Sequence, residues 1–165
     1  MKIEIIKCLK DNYSYIIIDE TSLNACVIDP SESTPIIDFI ENNNVKLKYI
    51  LNTHHHYDHI GGNIELKKKY GSSVIGFKGD KDRIPEIDIL VNDNQIWKEN
   101  NFEAKIYHIP GHTSGHIAFH FFKEKLKNGL PTVPSMLDDE IQCNIFLKAK
   151  DLQSFSKLRD LKDNF

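Results

Sequence analysis

Seven consecutive residues constrain this chain more than any others: Thr53-His54-His55-His56-Tyr57-Asp58-His59. They follow directly on an apolar run, residues 47–51, that reads as a strand. They lead through Gly61-Gly62 into a helical pattern at 63–70 that Gly71 stops. His54, His56 and Asp58 stand at i, i+2 and i+4, and extended backbone sends such side chains to one side. His59 follows at once. Imidazole and carboxylate donors gathered in this way suit a borderline-soft divalent ion, zinc first, with iron or manganese as alternatives. A tag fragment would be a terminal, uninterrupted run, whereas this one is internal, carries an aspartate and is bracketed by a strand and two glycines. Gly61-Gly62 is expected to let the chain turn sharply without a Cβ clash.

A second loop, Pro110-Gly111-His112-Thr113-Ser114-Gly115-His116, lies between strand patterns at 102–109 and 117–122. It offers His112 to close the site. His108 and His120 sit inside strand patterns and read as structural. His55 and His116 read either as groups that orient the ligands or as ordinary polar residues.

Upstream, residues 3–6, 13–18 and 25–28 are β-branched or aromatic runs with short turns between them, an antiparallel meander. Thr34-Pro35 reads as an N-cap followed by proline at the first helical position, with Ile36, Ile37 and Ile40 on one stripe and Asn42-Asn43-Asn44 as the stop. The β-α-β order through residues 25–77 predicts an α/β layered fold. Residues 78–101 are polar and carry no assignable period. Character changes at Lys123, so 1–122 reads as one domain and 123–165 as a second. In the second, Leu152, Phe155, Leu158 and Leu161 mark a helix over 151–163.

Composition narrows the function classes. No run among the 165 residues approaches the roughly 18 apolar residues of a membrane span. A net charge of −3 lacks the basic footprint of a nucleic-acid binder. Cys8, Cys26 and Cys143 are an odd set with no C-x-x-C spacing, and the N-terminus carries no secretory pattern. Both point to a reducing, cytoplasmic setting.

Thr53-His54-x-His56-x-Asp58-His59 with Gly61-Gly62, then Pro110-Gly111-His112-Thr113-x-Gly115-His116, resembles the metallo-β-lactamase superfamily, and within it the hydroxyacylglutathione hydrolase (glyoxalase II) family. Asp11-Asn12-Tyr13 and Val27-Ile28-Asp29-Pro30 resemble that family's opening. Leu130-Pro131-Thr132-Val133-Pro134-Ser135 and Asn144-Ile145-Phe146-Leu147 resemble its C-terminal domain, and Leu158-Arg159-x-x-Lys162-Asp163-x-Phe165 its closing helix. The resemblance is discontinuous after about residue 122. Missing there are a Gly-Asp-Thr segment, whose aspartate bridges two metals in the family, and a Gly-His-Glu-Tyr segment, whose histidine completes the second metal site. Asp138-Asp139-Glu140 reads as a solvated surface run rather than a replacement.

The resemblance implies a metallo-β-lactamase-like αββα sandwich, incomplete for want of its central strands and helices, with a remnant of the C-terminal helical domain. It implies hydrolysis of glutathione thioesters, S-D-lactoylglutathione to glutathione and D-lactate, by hydroxide generated at the metal, in detoxification of methylglyoxal. His54, His56 and His112 match the first metal's ligands. Asp58 and His59 match half of the second's, and Asp58 would also orient or deprotonate the nucleophile. Arg159 and Lys162 match the positions that bind the glutathione carboxylates; oligomeric state is left open. Two alternatives stand beside this: a non-catalytic metal-binding remnant of the family, and another hydrolase of the same fold.

Overall fold

The computed structural model describes residues 1–121. Three strands, β1 (Lys2–Cys8), β2 (Asn12–Ile18) and β3 (Asn24–Ile28), pair antiparallel in the expected meander. Helix α1 (Thr34–Asn42) returns the chain to β4 (Lys46–Leu51), parallel to β3. A helical turn, α2 (Tyr57–Ile60), and helix α3 (Asn63–Tyr70) lead to β5 (Ser73–Phe77), parallel to β4. After a 3₁₀ turn at Lys78–Asp80 comes β6 (Ile87–Val91), parallel to β5, so the first sheet has six strands in chain order. The second sheet is an antiparallel ladder of β7 (Ile96–Glu99), β8 (Phe102–His108) and β9 (Ile117–Phe121).

Burial on both faces of the first sheet explains its unbroken apolar runs. Ile16, Ile18, Val27, Ile50 and Val74 pack with Ile36 and Ile40 of α1 and Leu66 of α3. Ile17, Leu51 and Ile75 point the other way, onto Trp97, Phe102, Ala104, Ile106 and Ile117 of the second sheet. Three layers of the αββα sandwich are therefore in place. Among the described residues no helix covers the outer face of the second sheet. Lys98 and Glu103 pair there at 2.9 Å, and Lys105 lies over the Tyr107 ring. Residues 1–121 thus supply three of the four layers expected from the sequence. The segments at 130–135, 138–140, 144–147 and 151–163, Cys143, Arg159 and Lys162 lie outside the described residues.

Two local expectations need correction. Residues 78–101 hold β6 and β7. Asp88 interrupts the apolar run of β6, because its carboxylate turns outward to accept the Val74 N–H at 2.8 Å and to meet Lys67 at 2.7 Å. The N-cap of α1 is Ser33, not Thr34, and its hydroxyl is bonded to the Glu65 carboxylate instead of to an N–H of its own helix.

Gly61 and Gly62 are small for a different reason than expected. Gly61 has φ −59° and ψ −28°, and Gly62 φ −85° and ψ −11°, angles open to any residue. What excludes a Cβ is the loop before α1. At Gly61 it would strike the Ser31 carbonyl, and at Gly62 it would lie 3.0 Å from the Pro30 carbonyl, which accepts the Gly62 N–H. The two glycines let the turn after the histidine run pack directly on residues 30–32. Gly61→Ala should therefore destabilise the fold by about 1–3 kcal/mol in urea unfolding. A gain of about 0.4–1 kcal/mol, the usual benefit of alanine at permissive angles, would refute close packing as the cause.

Candidate metal centre

Parallel strands β3, β4 and β5 end on the same side, and each delivers a residue to one place. Asp29 follows β3, Thr53 and His54 follow β4, and Asp80 follows β5. Asp29 is 7% exposed and holds a left-handed φ of 49°. Its Oδ1 accepts the Thr53 N–H at 2.7 Å, and its Oδ2 accepts the Thr53 hydroxyl at 2.6 Å. Thr53 Oγ1 has one proton and gives it to Asp29, so it accepts from His54 Nδ1 at 2.9 Å. That assigns the Nδ1–H tautomer to His54 and leaves a lone pair on its Nε2. His54 is 2% exposed, and Nε2 is buried without a hydrogen-bond partner. A bare buried acceptor is costly unless something else occupies it.

The other histidines face that atom. His56 Nδ1 and His112 Nε2 stand 3.0 Å apart, although 56 residues separate them in the chain. Ring centroids lie 4.8 Å apart for His54–His56, 4.9 Å for His54–His112 and 4.6 Å for His56–His112, and one nitrogen from each falls within 4.8 Å of the others. Nitrogen ligands 2.0–2.1 Å from a tetrahedral ion stand about 3.3 Å apart, so the three need only small movements to share one. His54 is buried, His56 half-buried and His112 exposed, which leaves one side open. The residues fit a metal ion.

Asp58 and His59 do not come from extended backbone. They sit on the helical turn α2, whose start is His56 at φ −64° and ψ 145°. The turn puts Asp58 Oδ2 3.4 Å from His59 Nε2, a pair beside the three-histidine group, with the His59 ring 4.1 Å from that of His54. His59 Nδ1 meets Asp29 Oδ2 at 3.0 Å, so Nε2 is its outward nitrogen. Asn12 Nδ2, at the start of β2, donates to Asp58 Oδ2 at 2.9 Å and to the Asp58 carbonyl at 3.1 Å. Asp29, His54 and His59 also place ligand atoms close together, but both Asp29 oxygens are taken up by Thr53 and His59. Asp29 orients the ligands instead of joining them.

Electrostatics follow from this crowding. Burial, reinforced by the rings of His59, His116, His112 and His56, pushes His54 down to about 3. Burial also works against a charged Asp58, but the Asn12 hydrogen bond and the His59 charge outweigh it and hold Asp58 below the usual carboxylate range. Burial disfavours the His59 cation too, yet the Asp29 hydrogen bond and charge win and raise it. Burial lowers His116, whose ring is 4.8 Å from that of His54.

Of the sequence-derived candidates, His54, His56 and His112 come together, and Asp58 and His59 form the adjoining pair. His55 turns away to Asp80 at 3.2 Å, and His108 stacks on Phe77 and reaches the Ser114 carbonyl at 2.8 Å. Sequence reasoning gave no role to Asn12, Asp29, Thr53, Asp80 or Arg83. The usable signal was position: three of them lie just past the carboxyl ends of parallel strands, where sites form in α/β sheets.

Comparison with known proteins agrees with the geometry. The metallo-beta-lactamase superfamily profile matches residues 10–126, and that of the hydroxyacylglutathione hydrolase C-terminus matches 110–165. The chain is 46% identical to a hydroxyacylglutathione hydrolase of Pelagibacter ubique (strain HTCC1062), with 100% of both chains covered. The chain belongs to the hydroxyacylglutathione hydrolase family of the metallo-β-lactamase superfamily. That alignment runs over 239 positions against 165 residues here, so a long internal stretch of the Pelagibacter protein has no counterpart. The two family profiles overlap at 110–126, where the sequence reading places the break. Other hydroxyacylglutathione hydrolases are matched over part of their length. That of Methylococcus capsulatus is 40% identical over 70% of this chain and 45% of its own, so the chain spans about half the length of such family members. The crystal structure of the BLEG-1 B3 metallo-beta-lactamase shares the fold at a TM-score of 0.69, with 19% identity over 74% of this chain and 68% of that one.

If the Thr53 bridge sets the His54 environment, that ring in the metal-free protein should stay neutral in an NMR titration until the pH nears 3. A lowered histidine pKa means that protonation favours the unfolded chain, so His54 contributes a loss of stability as pH falls from about 6.5 toward 3. A His54 resonance titrating near 6.5 would show that the ring is not held as described.

Proposed function

We propose that this chain hydrolyses glutathione thioesters, S-D-lactoylglutathione to glutathione and D-lactate, with zinc held by His54, His56 and His112. The observation that carries the reading is the buried, unpartnered Nε2 of His54, facing two further ring nitrogens from separate loops. Three neutral imidazoles with an open side suit a catalytic zinc. Manganese satisfies the same donors less well, since it leans further toward oxygen ligands, whereas iron accepts imidazole as zinc does.

A bound zinc ion supplies hydroxide near neutral pH and polarises a carbonyl. The protein's own residues do the rest. Asp29 and Thr53 fix the His54 tautomer, so the lone pair that binds the ion is already aimed. The Asp58 carboxylate, ionised at neutral pH and braced by Asn12, orients the attacking water. Its low proton affinity favours that positioning role over proton abstraction. The leaving thiolate needs little help from a general acid. Arg159 and Lys162 bind the glutathione carboxylates in this reading, as planar and point-charge donors respectively. The free, buried Cys8 and Cys26 suit a reducing cytoplasm.

The shortened length favours a second reading, in which the chain binds one metal ion without turnover. Purified zinc-loaded protein separates the two. Metal analysis should give one ion per chain in both. Thiol release from S-D-lactoylglutathione should exceed that of the His54→Ala variant by 100-fold or more if an ion at this site carries the reaction, on the order of the loss of a main electrostatic stabiliser. Equal rates would reject hydrolysis and leave metal binding alone.

A further inference from the structure

The two loops that carry His56 and His112 are joined at their bases by a main-chain bond from Ile117 N–H to the Thr53 carbonyl at 2.9 Å, and the second loop is closed on itself by Ile109 N–H to the His116 carbonyl at 2.8 Å. These bonds leave the tip, Pro110 to Ser114, exposed except at Thr113, to be fixed by something else. We propose that Asp80 is the positioning residue that holds the His112 loop in register with the His54–His56 loop. The inference rests on the reading that His54, His56 and His112 share a metal ion.

Asp80 closes the 3₁₀ turn after β5, and its side chain is completely buried. A carboxylate at that depth is unfavourable unless hydrogen-bonded and paired with a charge. Two side chains, His55 and the Arg83 cation, meet it, and they point to different loops. Oδ2 meets His55 Nδ1 at 3.2 Å, which pulls His55 out from between the candidate ligands His54 and His56. Oδ1 accepts from the Arg83 guanidinium, whose same nitrogen donates to Ser114 Oγ at 3.1 Å, two residues beyond His112. The second loop also presses on Asp80 directly: a Cβ on Gly115 would be driven into the carboxylate. His108 adds a bond to the Ser114 carbonyl from the neighbouring strand. One buried carboxylate thus touches the first loop through His55, the second through Arg83 and Gly115, and the sheet through its own turn.

Hydrophobic packing alone gives no account of this arrangement. An apolar residue at position 80 would fill the same space without requiring charged neighbours. The carboxylate supplies direction: two donors on fixed oxygens set both the spacing and the rotation of the loop tips. Groups that orient metal ligands in this way typically change metal affinity or activity 10- to 100-fold when removed.

The test uses Asp80→Asn, His112→Ala and the double variant. Zinc affinity is read by competition with a chromophoric chelator, ligand geometry by the visible spectrum of the cobalt(II) form, and folding by thermal unfolding of the metal-free proteins. Asp80→Asn should lower zinc affinity about 10- to 100-fold. It should move the cobalt spectrum toward that of His112→Ala and leave metal-free unfolding cooperative. Because Asp80 acts through His112, the double variant should bind no more weakly than His112→Ala alone. Unchanged affinity and spectrum in Asp80→Asn, or penalties that multiply in the double variant, would overturn the proposal. If His112→Ala binds zinc as tightly as the unaltered chain, the three-histidine reading is what fails, and the proposal falls with it. Should Asp80→Asn not fold, Arg83→Gln, at a half-exposed side chain, cuts the link to Ser114 and should shift affinity and spectrum in the same direction; no shift there also overturns the proposal.

Discussion

Much of the site rests on the carboxylate of Asp29. It sits where β3 ends, its N–H bonded to the Leu51 carbonyl at the end of β4, so it is fixed to the sheet before it meets any histidine. Its two oxygens take three donors: the Thr53 amide, the Thr53 hydroxyl and His59 Nδ1. Each of those bonds decides which nitrogen of a nearby imidazole is left outward, for His54 through Thr53 and for His59 directly. An amide in its place could accept at only one of its two heavy atoms and would set an N–H against a donor. The left-handed backbone at Asp29 costs about 1–3 kcal/mol and persists because the surroundings over-determine it.

How much of this could be read from the sequence depends on distance along the chain. His54, His56, Asp58 and His59 lie within one short stretch, so their spacing announces metal chemistry before any fold is known. His112 needed the second motif beside the first. Asp29 and Asp80 are illegible because the site residues they meet, Thr53 and His59 for one and His55 and Gly115 for the other, are 24 to 35 residues away and each is one aspartate among many. Only the parallel order of β3, β4 and β5 brings their ends together. Asp58 was read as part of an extended run, but the chain turns helical at Tyr57, which swings the carboxylate toward His59 instead of onward along a strand.

The fold shows the same division. Residues 16–18 are three isoleucines in a row, a pattern that a strand buried on both faces explains, and both faces of β2 are buried. The strands between 78 and 101 were hidden for the opposite reason. Asp88 in β6 points out to Lys67, and β7 puts one buried side chain, Trp97, among exposed neighbours. An apolar run broken by one carboxylate, and a strand of four residues, are too short for a period of two to register.

The donor set also explains why the proposed site is expected to hold one ion. Two dications about 3.5–4 Å apart repel by roughly 16 kcal/mol at an effective dielectric constant near 20, so a two-metal site needs bridging negative charge. Neutral imidazoles bring none. Among the described residues Asp58 is the carboxylate that faces this space, because both Asp29 oxygens are turned to Thr53 and His59. The Pelagibacter relative has a long internal stretch that this chain does not. What remains is a complete set of nitrogens for one ion and a two-donor fragment beside it. In the proposed function Asp58 and His59 would serve the chemistry of that one ion, holding water and charge at its open side.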